Sequence, residues 1–304
     1  MSNFKGFAYG LVTSVTFGLI PLFTLPLMAE GMRFDSILFY RFLFATFALI
    51  GVMMVEKQSF HVDKRDIPVF ILLGGLYTIS AMFLFWGYSF MAAGIATTLH
   101  FTYPVFVAII MMTAFREKTS WITVVAILLA VLGVARLSID GGKLFVDPIG
   151  VMIVLFSAVG YALYIVTVNK SRVHDMNGRK LTFYVFIVST CLFFFKAQTN
   201  GGVQSIPDGQ SWINLILLAV VPTVISNITL VQAVHNIGST LTAVLGAMEP
   251  VTAVCVGVLV FGEPFTSQIA TGILLIIVAV TLIILSKYIQ KSLRTIKHKL
   301  LMHH

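Results

Sequence analysis

Glu249 is the residue most open to chemistry: a carboxyl eleven residues into the 24-residue apolar run from Gly238 to Phe261. An ionisable group at the depth of a bilayer centre is costly unless it faces protein or water, so it needs a cavity or a partner. Two readings stand. The carboxyl binds a substrate amine or takes part in proton coupling, or it braces the bend made by Pro250. Thr242, Gly246, Ala253 and Gly257 recur on the same helical face, a small-residue surface suited to close packing or to a cavity wall.

An offset of 146 residues lays Gly87 to Ser120 over Ala233 to Thr266, matching Pro104 with Pro250, Val105 with Val251, Phe115 with Phe261 and Glu117 with Glu263. On that alignment His100 falls opposite Gly246 and Tyr103 opposite Glu249. The polar groups thus differ between the copies, which favours an asymmetric ligand, although drift at lipid-shielded positions gives the same pattern. His100 bears a group that ordinarily changes charge near neutral pH and reads either as a substrate or proton contact or as a satisfied packing histidine. Pro104 and Pro250 each remove a backbone donor near mid-membrane, so they are expected to bend their helices as hinges and to leave a carbonyl free for a ligand.

Ser80 matches Ser226 at the same offset, with Asn227, Gln232 and Trp86 nearby; such groups bond across helices or touch substrate. An offset of 144 pairs Gly6 with Gly150 and Phe17 with Tyr161, expected as cavity or gate aromatics or as core filling. Arg41 reads as a structural charge near a helix end, within reach of Asp35 or Glu30, while Glu117 and Glu263 read as capping groups. Cys191 and Cys255 lie in apolar runs without CxxC or histidine spacing, and His303 and His304 are too few for a metal site. No metal or cofactor is expected.

The elements that must position these groups follow from composition. With 58% hydrophobic and 11% charged residues, most of the chain belongs in lipid. Since about 20 helical residues cross about 30 Å of hydrocarbon, the apolar runs predict ten helices: Gly6 to Met28, Ser36 to Val55, Ile67 to Phe90, Gly94 to Phe115, Thr119 to Leu137, Pro148 to Val168, Leu181 to Phe195, Ser211 to His235, Gly238 to Phe261 and Ser267 to Lys287. The seventh is the weakest in apolar character, bounded by Lys180 and Lys196. With ten spans and a cytoplasmic N-terminus, fifteen Lys and Arg residues fall inside and four outside; without the seventh span the split is eleven to eight. The positive-inside rule therefore favours ten, with both ends cytoplasmic. The net charge of +8 gathers at loops and in the tail from Lys287 to Lys299, so it speaks for lipid heads and topology rather than nucleic acid.

Residues 1–140 and 148–289 each hold five expected spans, with a basic tail over 290–304. An odd number per copy predicts inverted topology about an axis in the membrane plane, hence an all-α membrane protein of two inverted five-helix repeats. The repeated proline, the Phe-x-Glu ending, Tyr103, Glu249, Gly262 and Arg41 resemble the EamA-type transporters of the drug/metabolite transporter superfamily, over nearly the whole chain. The first copy departs from the commoner Gly-Glu ending by having Arg116 before Glu117. The resemblance implies two inverted bundles around a central cavity, alternating access, and movement of small metabolites such as amino acids across the inner membrane. The expected partners are a small-molecule metabolite, the lipid bilayer and a proton or other coupling ion. An intramembrane enzyme is the alternative class, but HExxH and GxSxG are absent; a channel is another, without a filter-like polar run. Single cysteines at positions 60, 140 and 200 and at the C-terminus test the orientation: 140 and 200 should label from outside and the other two only from inside.

Overall fold

The computed structural model describes residues 2–116, 120–140, 143–144 and 146–301. Glu117, Lys118, His303, His304 and Thr119, the expected start of the fifth span, lie outside the described residues, and the tail from Lys287 is described as helical backbone only. Helices α1 (Ser2–Gly18), α2 (Ile20–Ala29), α3 (Phe34–Val55), α4 (Ile67–Gly87), α5 (Ala93–His100), α6 (Tyr103–Thr113) and α7 (Trp121–Ser138) precede a two-residue strand pair, Ile139–Asp140 with Lys143–Leu144. They are followed by α8 (Pro148–Lys170), α9 (Gly178–Thr199), α10 (Gly209–Ala219), α11 (Ser226–Leu245), α12 (Met248–Phe261) and α13 (Ser267–Leu301).

Apolar runs become helices because lipid offers no partner to a backbone N–H or C=O. Among the described residues eight helical stretches are long and apolar enough to cross a membrane. Trp121–Leu137 and Met248–Phe261 are apolar but shorter, and lie within the runs expected as the fifth and ninth spans. The seventh run is a helix of 22 residues, Gly178–Thr199, which takes in both Lys180 and Lys196; long lysine stems let their charges reach the interface.

The prolines do not bend continuous helices, as the sequence suggested. They open new ones after an interruption. Pro104 stands in the first turn of α6 after Phe101–Thr102, and Pro250 in the first turn of α12 after Gly246–Ala247, so at the 146-residue offset the two breaks agree to within a residue. Pro21 likewise opens α2 after the break at Leu19. A proline in the first turn has no N–H to waste and its φ is already helical, which makes this its preferred helical position. The boundary expected between His235 and Gly238 is not an interruption, since α11 continues to Leu245. Thr13 meets Thr229, and Gly6, Gly10 and Gly18 face Ile237, Leu245 and Thr252, so α1 packs on both α11 and α12.

Helices from before residue 140 pack chiefly on helices from after 148: α1 on α11, α3 on α9, α4 on α8 and α9, α5 on α12, and α7 on α13. Gly133 and Gly272 let α7 and α13 cross closely; a Cβ at either position would come within 3.2 Å of the other glycine's carbonyl. Phe42 fits between Phe186 and Phe193, with ring centroids 5.3 and 5.7 Å away. Polar contacts fasten α3 to the second half at both ends. Glu56 pairs with Arg179 at one, and at the other Asp35 accepts from Asn200 at 2.6 Å while the Tyr40 hydroxyl donates to the Gln204 carbonyl at 2.8 Å.

The end of α12 shows why the Phe-x-Glu pattern has its form. Gly262 takes φ 66°, the left-handed conformation that closes a helix at least expense for glycine. The next residue, Glu263, folds its carboxylate over Gly257, where a Cβ would collide with it, and accepts the Ala93 N–H at 2.7 Å and the Gly94 N–H at 3.3 Å. A capping role is thus met by Glu263, and it ties α12 to the start of α5. Arg116 occupies the place of Gly262 in the first copy and adopts φ 51°, so the turn survives at the expense of a strained side-chain-bearing residue. Arg116→Gly should raise stability by about 1 kcal/mol. Glu263→Ala should lower it by about 1–2 kcal/mol by exposing two unpaired N–H groups. Unfolding midpoints in detergent, read by intrinsic fluorescence, should move up for the first and down for the second.

Candidate functional site

The helix breaks converge on an interior cavity of about 200 Å³. Each break exposes one element to it. Phe17 and Ile20 flank the interruption between α1 and α2, His100 and Tyr103 flank that between α5 and α6, and Gly246 and Glu249 flank that between α11 and α12; all six line the cavity. Pro104 and Pro250 do not line it themselves. Having no N–H, they cannot bond the carbonyls four residues back, those of His100 and Gly246. The Gly246 carbonyl takes the Glu249 N–H instead, at 3.0 Å.

One wall is aromatic. Tyr103 and Tyr161 meet edge to face at 4.8 Å, and Tyr161 continues to Tyr77 and Tyr164 at 6.1 and 5.7 Å. His100 leans on this wall, 5.5 Å from the Tyr161 ring and 5.9 Å from that of Tyr103. Its Nδ1 lies 2.9 Å from the Ser157 hydroxyl, which donates to the Ser80 carbonyl at 2.6 Å. A hydroxyl has one proton to give. Ser157 gives it to the Ser80 carbonyl, so Nδ1 of His100 is the donor to the Ser157 oxygen. The packing and cavity readings of His100 are therefore compatible: one nitrogen is held by α8, while the residue lines the space.

Glu249 also lines the cavity, and no described side chain forms an ion pair with its carboxylate. Arg41 lines the same cavity. The sequence placed Arg41 near the interface, beside Asp35 or Glu30. The structure corrects this. Arg41 is 3% exposed and lines the cavity, while Asp35 is served by Arg33 at 3.3 Å, by Asn200 and by Ser36. Arg41 is held from Pro222. Within the π-helical turn Val220–Ile225, which follows α10, that proline cannot bond the carbonyl of Leu218, and the Thr223 hydroxyl takes its place at 2.9 Å. The Thr223 oxygen then accepts Nε of Arg41 at 2.9 Å. Phe42 and Phe85 lie 5.5 and 5.6 Å from the guanidinium carbon.

Of the residues singled out from sequence, His100, Tyr103, Glu249, Ser80, Tyr161, Gly246 and Phe17 come together here. Two do not. Asn227 turns back to the Thr223 carbonyl at 2.6 Å, and Trp86 is more than a third exposed, stacked on Phe83. Both stand on helices that reach the cavity with another face: α11 presents Leu230 and Thr242, and α4 presents Tyr77, Ser80, Ala81 and Leu84. Arg41, Tyr77, Thr13 and Ser14 were not assigned from sequence. A lone arginine seven residues into α3 and a Thr-Ser pair inside the first apolar run were the available signals. Among the described residues no cluster of histidine, cysteine or carboxylates is suited to a metal ion.

A model of the EamA-like transporter family matches the chain twice, over residues 4–139 and 148–285. An uncharacterized transporter of Synechocystis sp. is 27% identical over 69% of this chain and 64% of its own length, so the match spans just under two thirds of that relative. The uncharacterized transporter YetK of Bacillus subtilis is 24% identical over 81% of this chain and 77% of its own. A solved crystal structure superposes with a TM-score of 0.65 at 16% identity, covering 92% of this chain and 95% of that one, a likeness of fold. With its long apolar helices, the chain is a multi-pass membrane protein, and it belongs to the EamA-like transporter family.

Proposed function

We propose that the chain is a secondary transporter that moves a small metabolite, an amino acid or related compound, out across the cytoplasmic membrane by alternating access. The observation that carries this reading is the cavity itself: three pairs of helix ends, a buried guanidinium and a carboxylate meet in one interior space. Transporters place substrate sites at such interruptions, because unwound backbone in lipid is tolerated only around a cavity or inside protein. Ten spans in two inverted copies, with both termini cytoplasmic, agree with the matching breaks before Pro104 and Pro250 and with the charge distribution. No phosphate-binding loop of the GxxxxGK[ST] kind occurs in the sequence, so transport draws on a gradient or on exchange.

The packing refines the motion. Because α1 pairs with α11 and α4 with α8, the bodies that rock past one another each contain helices of both sequence halves, with the α5 and α12 crossing between them. Substrate contacts Tyr103, His100 and Glu249, and the interruptions ahead of the prolines supply the hinges.

Protein reconstituted in liposomes should show saturable, solute-specific flux. Glu249→Gln and Tyr103→Ala should each reduce it about tenfold or more, the effect of losing about 1.4 kcal/mol of binding, while elution volume and unfolding midpoint stay near wild type. Unchanged flux in both variants would remove these residues from the site. A steady conductance without saturation would make the protein a channel.

A further inference from the structure

We propose that Arg41 is the cavity's anchor for a carboxylate on the transported molecule, an assignment that rests on the transport reading above. The guanidinium has five N–H donors in a rigid plane. One of them, on Nε, is held by Thr223 at 2.9 Å. The direction of that bond is fixed, because a guanidinium N–H can only donate, and the Thr223 proton goes to the Leu218 carbonyl. Phe42 and Phe85 flank the group, and neither can accept a conventional hydrogen bond. Among the described residues no acceptor meets the Nη atoms, and these are not sealed in the protein either, since they are absent from the buried polar atoms lacking a partner. With the residue 3% exposed overall and lining the cavity, its open edge is the cavity edge.

A buried, oriented guanidinium whose donors face an interior space is half of a bidentate pair. The other half is a planar oxyanion. Glu249 does not supply it, because among the described residues no ion pair forms between the two. The Glu249 carboxyl bears on the class of ligand: a single carboxylate neutralises Arg41 and leaves Glu249 for a cationic or hydrogen-bonding group at the molecule's other end. The apolar side chains that also line the cavity, Phe17, Ile20, Leu84 and Leu230, fit a short hydrocarbon body.

The test uses matched acid and carboxamide pairs, equal in size but differing in charge: L-leucine with L-leucinamide, L-threonine with L-threoninamide, and 4-methylpentanoate with 4-methylpentanamide. Binding to the full-length protein in nanodiscs is read by calorimetry and by thermal shift. The acid of at least one pair should bind about tenfold tighter than its amide. That preference should vanish in Arg41→Gln and weaken in Thr223→Val, which keeps the charge but releases Nε. If Arg41→Gln does not fold, the wild-type preference and Thr223→Val decide. Equal binding of acid and amide, a preference that survives Arg41→Gln, or no binding by any of the acids would overturn the assignment. Flux of a broad solute mixture into liposomes separates the two readings. Saturable flux of uncharged solutes alone would keep the transporter and discard the anchor; no saturable flux would discard the transporter.

Discussion

A backbone peptide group inside a bilayer must find a hydrogen-bond partner within the protein, and that constraint governs both where this chain is helical and where it stops being so. Interruptions at Leu19, Phe101–Thr102 and Gly246–Ala247 would each strand polar groups in hydrocarbon if they faced outward. They face one another instead. The site is thus where the fold has gathered its unavoidable defects, and the side chains at those defects are the ones that could hold a polar solute. Pro222 extends the same logic: the carbonyl it leaves open is closed by Thr223, whose oxygen then orients Arg41.

Much of this was legible in the sequence because lipid simplifies it. Apolar runs of membrane length have one structural outcome, and a proline or a carboxylate inside such a run stands out against a uniform background. Glu249, Tyr103 and His100 were readable on those grounds, and the recurrence of Pro and Glu at one offset tied two distant segments together. Helix direction was harder. Whether a polar residue on a buried helix points to the cavity or along its own helix depends on rotation, and a nearly uniform apolar sequence carries little information about rotation. Asn227 and Trp86 were misplaced for that reason.

Arg41 was misread for a different one. Distance from a helix end measured in residues takes the helix to stand alone, with its charge free to snorkel outward. Here α3 packs on α9 and α10, Arg41 is held by Thr223, and Asp35 is taken by partners of its own. The prolines were read correctly as backbone-breaking and wrongly as bends, because the sequence gives the lost donor but not how the chain around it resolves the loss. Restarting the helix leaves the proline at the one position where its missing N–H is harmless.

The pairing of helices across the two sequence halves has a consequence for how such a molecule is held in one piece. Neither half encloses a core of its own; the surface that α1, α3, α4, α5 and α7 leave apolar is covered by helices that the ribosome makes only after residue 148. During synthesis the first five runs must wait in the membrane against lipid until their complements arrive. The peptide linkage between the halves therefore sets the order and stoichiometry of assembly, while cohesion comes from the interdigitated faces, as in a zip whose two rows of teeth are sewn at one end.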